Sequence, residues 1–89
     1  MISSEILDRL FAVIDSRRDA DPKSSYTAKL LSDGRSRIAR KFGEEAIEAV
    51  IAATEGDKAA LTAESADVLY HLLVVWADAG ITPADVWAE

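Results

Sequence analysis

Between Arg35 and Asp78 the chain carries a single pair of strong helix terminators, Gly56 and Asp57. Few features constrain a small chain more. Everything before the pair, from about Arg35 to Glu55, reads as one helix interrupted in composition only by Gly43. Everything after it, from Lys58 to about Asp78, reads as another, stopped by Gly80. Two long helices joined by so tight a turn must lie antiparallel and pack on each other. No segment alternates polar and apolar residues between hairpin turns, so strands are not needed.

The flanking segments follow the same rules. Ser3 or Ser4 can cap a helix to about Ser16, with Ile6, Leu7, Leu10, Phe11 and Ile14 at helical spacing. Asp21 before Pro22 is pushed out of the helical region, which makes 17–23 a solvated loop. Ser24 to Thr27 offers a cap for a short helix through Leu31, ended by Ser32-Asp33-Gly34, with Gly34 suited to a left-handed position. Thr82-Pro83-Ala84-Asp85 restarts a helix with a capping box and proline at its first position. The expected architecture is all-α: one domain spanning 1–89, a bundle of four to five helices.

With 89 residues, 49% of them apolar, the chain buries only about 60–65% of its unfolded surface. Apolar surface is left for a partner copy, so a homodimer or higher homo-oligomer is expected to complete the core. A net charge of −6 argues against nucleic acid and anionic membrane as partners. The absence of cysteine excludes thiolate metal sites and thiol nucleophiles. Met1 to Glu5 has neither a basic nor an apolar leader region, and the longest strictly apolar run, Leu72 to Ala77, is too short to span a bilayer. A soluble cytoplasmic protein is the resulting expectation.

The chemistry lies on the two long helices. Glu45 and Glu48 on the first, and Glu64 and Asp67 on the second, are each spaced i,i+3, which puts both members of a pair on one helix face. Arg37, Lys41, Glu44, Glu45, Glu48 and Glu55 fall within roughly a 100° arc. Taken alone, that arc also fits a solvent-facing charged surface with Lys41 paired to Glu44 and Glu45. The second helix shifts the balance, because between Ala66 and Ala77 its only polar side chains are Asp67, Tyr70 and His71, and a helix so apolar is expected to be buried. Two carboxylates about 4 Å apart repel by roughly 4 kcal/mol at an effective dielectric near 20, so four converging carboxylates call for a cation. Oxygen donors alone select Mg²⁺ or Mn²⁺ over zinc or copper. Gly43, costing up to about 1 kcal/mol inside a helix, allows a substrate or a neighbouring helix to come close. His71, the only histidine, is read as a hydrogen-bonded support for a carboxylate, with general base as the alternative.

Three blocks sharpen this reading: Ser25-Tyr26-Thr27-Ala28-Lys29-Leu30, Ile38 to Glu48, and Glu64 to Leu73. Together they resemble the phosphoribosyl-ATP pyrophosphohydrolases, members of the MazG-like all-α nucleotide pyrophosphohydrolases, whose signature is Glu-Glu-x-x-Glu followed at a distance by Glu-x-x-Asp. The resemblance implies that Glu45, Glu48, Glu64 and Asp67 hold Mg²⁺, with Glu44 beside them as water activator. It further implies hydrolysis of phosphoribosyl-ATP to phosphoribosyl-AMP and pyrophosphate early in histidine biosynthesis. Lys41, Arg37 and Lys29 become candidates to touch phosphates; Ser25, Tyr26, Thr27 and His71 become candidates to line the nucleotide side. Two features depart from the family pattern. Phe42 replaces a smaller aliphatic residue, and the family continues past the position of Glu89 with a polar, basic tail. A house-cleaning hydrolase of ordinary nucleoside triphosphates would share the acidic site, whereas a non-catalytic oligomerisation module would carry the charges only for solubility.

Overall fold

The computed structural model describes residues 3–89, so the expectation read from Met1 to Glu5 lies in part, at Met1 and Ile2, outside the described residues. Helices α1 (Glu5–Ser16), α2 (Tyr26–Asp33), α3 (Arg35–Glu55), α4 (Lys58–Ala79) and α5 (Pro83–Ala88) follow one another, with no strand among the described residues. The all-α expectation holds.

The α3–α4 hairpin is the frame, and its turn forms as the sequence dictates. Gly56 is left-handed at φ 72° and ends α3, its N–H and that of Asp57 bonding back to Ala53 and Ala52 carbonyls. The Asp57 side chain then accepts the Ala60 N–H at 3.0 Å and starts α4. A side chain on residue 56 would oppose this backbone, since the left-handed region disfavours a Cβ.

The expectations for the shorter elements need two refinements. Helix α2 runs two residues past Leu31, to Asp33. Gly34 does have positive φ, at 98°, but with ψ 169° it lies outside the left-handed helical region, in a conformation that glycine alone adopts readily. It separates α2 from α3 as a sharp corner, serving both helices at once. Ser25 and Thr82 cap as read: Ser25 Oγ accepts the Ala28 N–H, and Thr82 and Asp85 form the reciprocal capping box. At α1 the N-cap position falls on Ser4, whose side chain makes no capping bond; the Glu5 N–H donates instead to Ser3 Oγ at 3.4 Å.

The core lies at one end of the hairpin. Ile14 from α1, Leu30 from α2, Ile38 from the start of α3, and Leu73, Val74 and Ala77 from the end of α4 form the buried cluster, with Leu7, Leu10, Phe11 and Trp76 packed around it. Two arginines tie this end down. Arg18 donates to the Ala77 carbonyl, and Arg35 contacts Asp78 through its carboxylate at 2.8 Å and its carbonyl at 3.3 Å. Both partners sit at the C-terminus of α4, where carbonyls lack helical donors and cations meet the negative end of the helix dipole.

The other end of the hairpin is open. From residues 42 to 69, Ala52 is the only buried side chain, while Ile47, Val50, Ile51 and Leu69 are exposed. The expectation that α4 is buried between Ala66 and Ala77 therefore holds from His71 on and is corrected before it, where Ala66, Asp67 and Leu69 are exposed. Its apolar composition is divided between a core half, from His71 on, and an uncovered half that α1, α2 and α5 are too short to reach.

Candidate active site

Three carboxylates meet on the open half. Glu45 and Glu48 lie one turn apart on α3, Glu64 faces them from the second turn of α4, and each offers an oxygen within 4.8 Å of the others. Helix geometry explains the pairing on α3, and the antiparallel turn at Gly56 brings Glu64 opposite. Asp67, the fourth predicted ligand, lies on the exposed face one turn further along α4 and outside this trio. Its charge still reaches Glu64.

Glu64 carries the tension of the site. Its Oε2 is buried and has no hydrogen-bond partner. Desolvation, the hydrogen bond that a proton on the pair would make with Glu48, and the negative charges of Glu48, Asp67 and Glu45 together push its carboxyl above the usual carboxylate range. A buried acceptor without a donor is destabilising unless something else fills the role. Three converging carboxylate oxygens suit a hard cation, and a divalent ion would relieve both the repulsion and the orphaned oxygen. Beside the trio, a depression of about 230 Å³ opens between the helices, lined by Glu48, Glu55 and Glu64 over a floor that includes Ile51, Ala52 and Ala60.

The cations are distributed unevenly around this cluster. Lys41 is next to it, its Nζ 3.6 Å from Glu44 and 3.8 Å from Glu45. Arg37 and Lys29 turn away from the trio and share Asp33, at 3.7 and 3.4 Å. Glu44 is exposed and lies outside the trio. Gly43 is not a point of close helix packing, for a methyl group added there would have no atom within 4 Å.

A second cluster joins α2 to α4. His71 is buried; its Nδ1 is 2.8 Å from the backbone carbonyl of Asp67, and its Nε2 is 3.3 Å from the Tyr26 hydroxyl. The expected carboxylate support is thus corrected: the imidazole braces the backbone of Asp67, not its side chain. Next to it, Tyr70 and Thr27 hydrogen-bond through their hydroxyls. Burial raises the Tyr70 phenol, against the opposing hydrogen bond from Thr27, so the group stays a neutral O–H. The rings of Tyr26 and Tyr70 lie at 27° with centroids 6.3 Å apart, and His71 stands edge-on to both. Ser25 caps α2 at the rim.

The profile of the phosphoribosyl-ATP pyrophosphohydrolase family matches residues 7–89. The chain belongs to this family. Among its relatives, the phosphoribosyl-ATP pyrophosphatase of Azospirillum brasilense is 60% identical over 88 residues, which covers 99% of this chain and 79% of the relative. That of Paramagnetospirillum magneticum is 60% identical over 86 residues, covering 97% and 79%. The phosphoribosyl-ATP pyrophosphatase of Cereibacter sphaeroides ATCC 17025 is 56% identical over 84 residues, covering 94% and 82%. Membership in the phosphoribosyl-ATP pyrophosphohydrolase family makes the chain a hydrolase and sets aside the non-catalytic reading. No described helix is long and apolar enough to cross a membrane.

Sequence reasoning missed Tyr70 and the arginine anchors. Tyr70 stands out as one of three polar residues in an apolar stretch, yet its role depends on Thr27, 43 residues away. Arg35 and Asp78 are equally far apart in the chain, and nothing local marks them as partners.

Proposed function

We propose that the chain hydrolyses phosphoribosyl-ATP to phosphoribosyl-AMP and pyrophosphate, a step of histidine biosynthesis in the cytoplasm, with Mg²⁺, or Mn²⁺ in its place, held at the carboxylate cluster. The observation that carries this reading is the buried, unpartnered Oε2 of Glu64 facing Glu45 and Glu48. Membership in the family supplies the substrate.

In this reading Glu45, Glu48 and Glu64 hold the cation, and Asp67 joins them through a side-chain rotation or a bridging water. When bound, Mg²⁺ supplies charge neutralisation for the triphosphate and for the departing pyrophosphate. Glu44, exposed beside the trio, orients a water and accepts its proton as the oxygen attacks phosphorus. Lys41 turns its ammonium from Glu44 and Glu45 toward a phosphate oxygen. Arg37 and Lys29, both engaged by Asp33, are the outer phosphate contacts. Ser25, Tyr26, Thr27 and His71 form the nucleotide side.

The exposed stripe of Ile47, Val50 and Ile51, one helical turn apart on α3, with Leu69 on α4, supports a homodimer or higher homo-oligomer that covers the open half of the hairpin. A stable monomer by light scattering at micromolar concentration would contradict that assembly. The activity is tested by incubating the purified protein with phosphoribosyl-ATP and with a panel of nucleoside triphosphates, with and without Mg²⁺. Mg²⁺-dependent release of pyrophosphate, fastest from phosphoribosyl-ATP, is the expected result. Faster turnover of any ordinary nucleoside triphosphate would overturn the substrate assignment in favour of a house-cleaning enzyme.

A further inference from the structure

Tyr26 combines two properties that pull in opposite directions. The residue is 51% exposed, yet its ring is held at three points. The hydroxyl meets His71 Nε2, one ring face is turned to Tyr70, and an imidazole stands edge-on. An exposed tyrosine without a task would rotate freely, because solvent competes for its hydroxyl and nothing fixes χ1. Here a buried histidine is committed to it.

The tautomer follows from the partners. A backbone carbonyl can only accept, so His71 Nδ1 carries the proton and donates to Asp67. Nε2 is left with a lone pair, and Tyr26 donates its hydroxyl proton to it. Tyr70, through Thr27, ties the adjoining residue of α2 to the same turn of α4. Two neighbouring residues of one helix thus grip two neighbouring residues of the other. Nothing in the core needs so specific a grip at a rim position.

We propose that Tyr26 is the surface on which the substrate's nucleobase stacks, and that Tyr70 and His71 are positioning residues that hold its ring in place. The placement fits a nucleotide. His71 lies seven residues beyond Glu64 on α4, about 10 Å along the axis at 1.5 Å per residue. A nucleotide lying along α4 with its phosphates at the carboxylates would bring its base to Tyr26. One face of the Tyr26 ring is turned to Tyr70 while the residue as a whole stays half exposed, which leaves surface for a stacking base. This inference rests on the nucleotide-hydrolase reading above and assigns the base end of that same site.

The test is a set of variants, Tyr26→Ala, Tyr26→Phe, His71→Asn, Tyr70→Phe and the double variant of Tyr26→Phe with His71→Asn, assayed for kcat and KM with phosphoribosyl-ATP. Inorganic tripolyphosphate, which has phosphates but no base, serves as a competitive inhibitor. Losing a base–aromatic stack costs about tenfold in affinity, so Tyr26→Ala is expected to raise KM about tenfold, to change kcat far less, and to leave tripolyphosphate inhibition unchanged. Tyr26→Phe keeps the ring and loses only the tether, so its KM rises less, by a few-fold. His71→Asn should match it, and the double variant should be no worse than either single. Tyr70→Phe should shift KM in the same direction. An unchanged KM for Tyr26→Ala, or a parallel weakening of tripolyphosphate, would overturn the stacking role; additive effects of Tyr26→Phe and His71→Asn would overturn the role of His71. Equilibrium binding of ATP to the same variants separates this inference from the substrate assignment. If phosphoribosyl-ATP proves inert while ATP binding still depends on Tyr26, the substrate assignment falls and the stacking surface stands.

Discussion

The two halves of α4 are built on opposite terms. From His71 to Ala79 the helix is packed on Ile14, Leu30 and Ile38, and its last carbonyls are met by Arg18 and Arg35. From Lys58 to Leu69 it is largely uncovered, carries Glu64 and Asp67, and leaves a buried carboxylate oxygen without a donor. One half satisfies its polar groups and gains stability from burial. The other gathers like charges and gives stability up. The difference teaches where function resides: the packed half fixes the axis of the helix, so the strained half can hold three carboxylates within 4.8 Å without splaying.

Substitutions in the two halves should therefore separate activity from stability. The largest effect is expected for Glu48→Gln, which removes one member of the trio. Losing several kcal/mol of transition-state charge stabilisation corresponds to about 10²–10³-fold in kcat/KM, while thermal stability without metal stays level or rises. In the packed half, Leu73→Ala should cost about 3 kcal/mol in denaturant unfolding, with the folded fraction still active. If Glu48→Gln destabilised the fold as Leu73→Ala does, the two halves would not differ as described.

The arginine anchors should give a smaller effect. Arg35 is three-quarters exposed in its pair with Asp78, and such pairs contribute about 0.2–1 kcal/mol. Arg35→Ala should lower stability by no more than that, with kcat/KM nearly unchanged, as parallel unfolding and activity measurements would show. A loss of activity larger than the loss of folded protein would mean that the packed half does more than hold the axis.

The smallest expected effect lies at α5. Thr82 and Asp85 cap each other's backbone, and the hydrogen bonds from the Thr82 backbone and side chain hold the Asp85 carboxyl below its usual range. A carboxyl whose folded pKa lies below its unfolded value stabilises the fold above the unfolded value, near 4, and loses that contribution as pH falls through the folded one. Melting temperatures of Asp85→Asn and the parent should therefore converge below the usual aspartate range and separate above it. Convergence at neutral pH instead would contradict the sign.

Much of this could be read from the chain, and for an identifiable reason. Terminators and caps act over three or four residues, so Gly56-Asp57, Ser25 and the Thr82–Asp85 box are local signals that survive in any context. The i,i+3 acids are local as well, which is why the α3 pair and Glu64 are found where the periodicity puts them. What depended on helix ends meeting in space was not legible. The uncovered half of α4 is itself largely apolar, with Leu61, Val68 and Leu69 among its alanines, and the lengths of α1, α2 and α5 decide which half is covered. Asp67 follows from that: on an uncovered turn it faces out, and the trio forms without it. His71 and Tyr70 needed partners 45 and 43 residues away before their roles could be defined.

The central claim is that the open half of the hairpin keeps its unpaired carboxylate for a divalent cation. Thermal unfolding of the parent and of Glu64→Gln, each with and without Mg²⁺ and without substrate, tests it most directly. The account predicts that Mg²⁺ raises the melting temperature of the parent, whereas Glu64→Gln starts higher without metal and gains nothing from it. A parent indifferent to Mg²⁺, together with a Glu64→Gln variant no more stable than the parent, would contradict it.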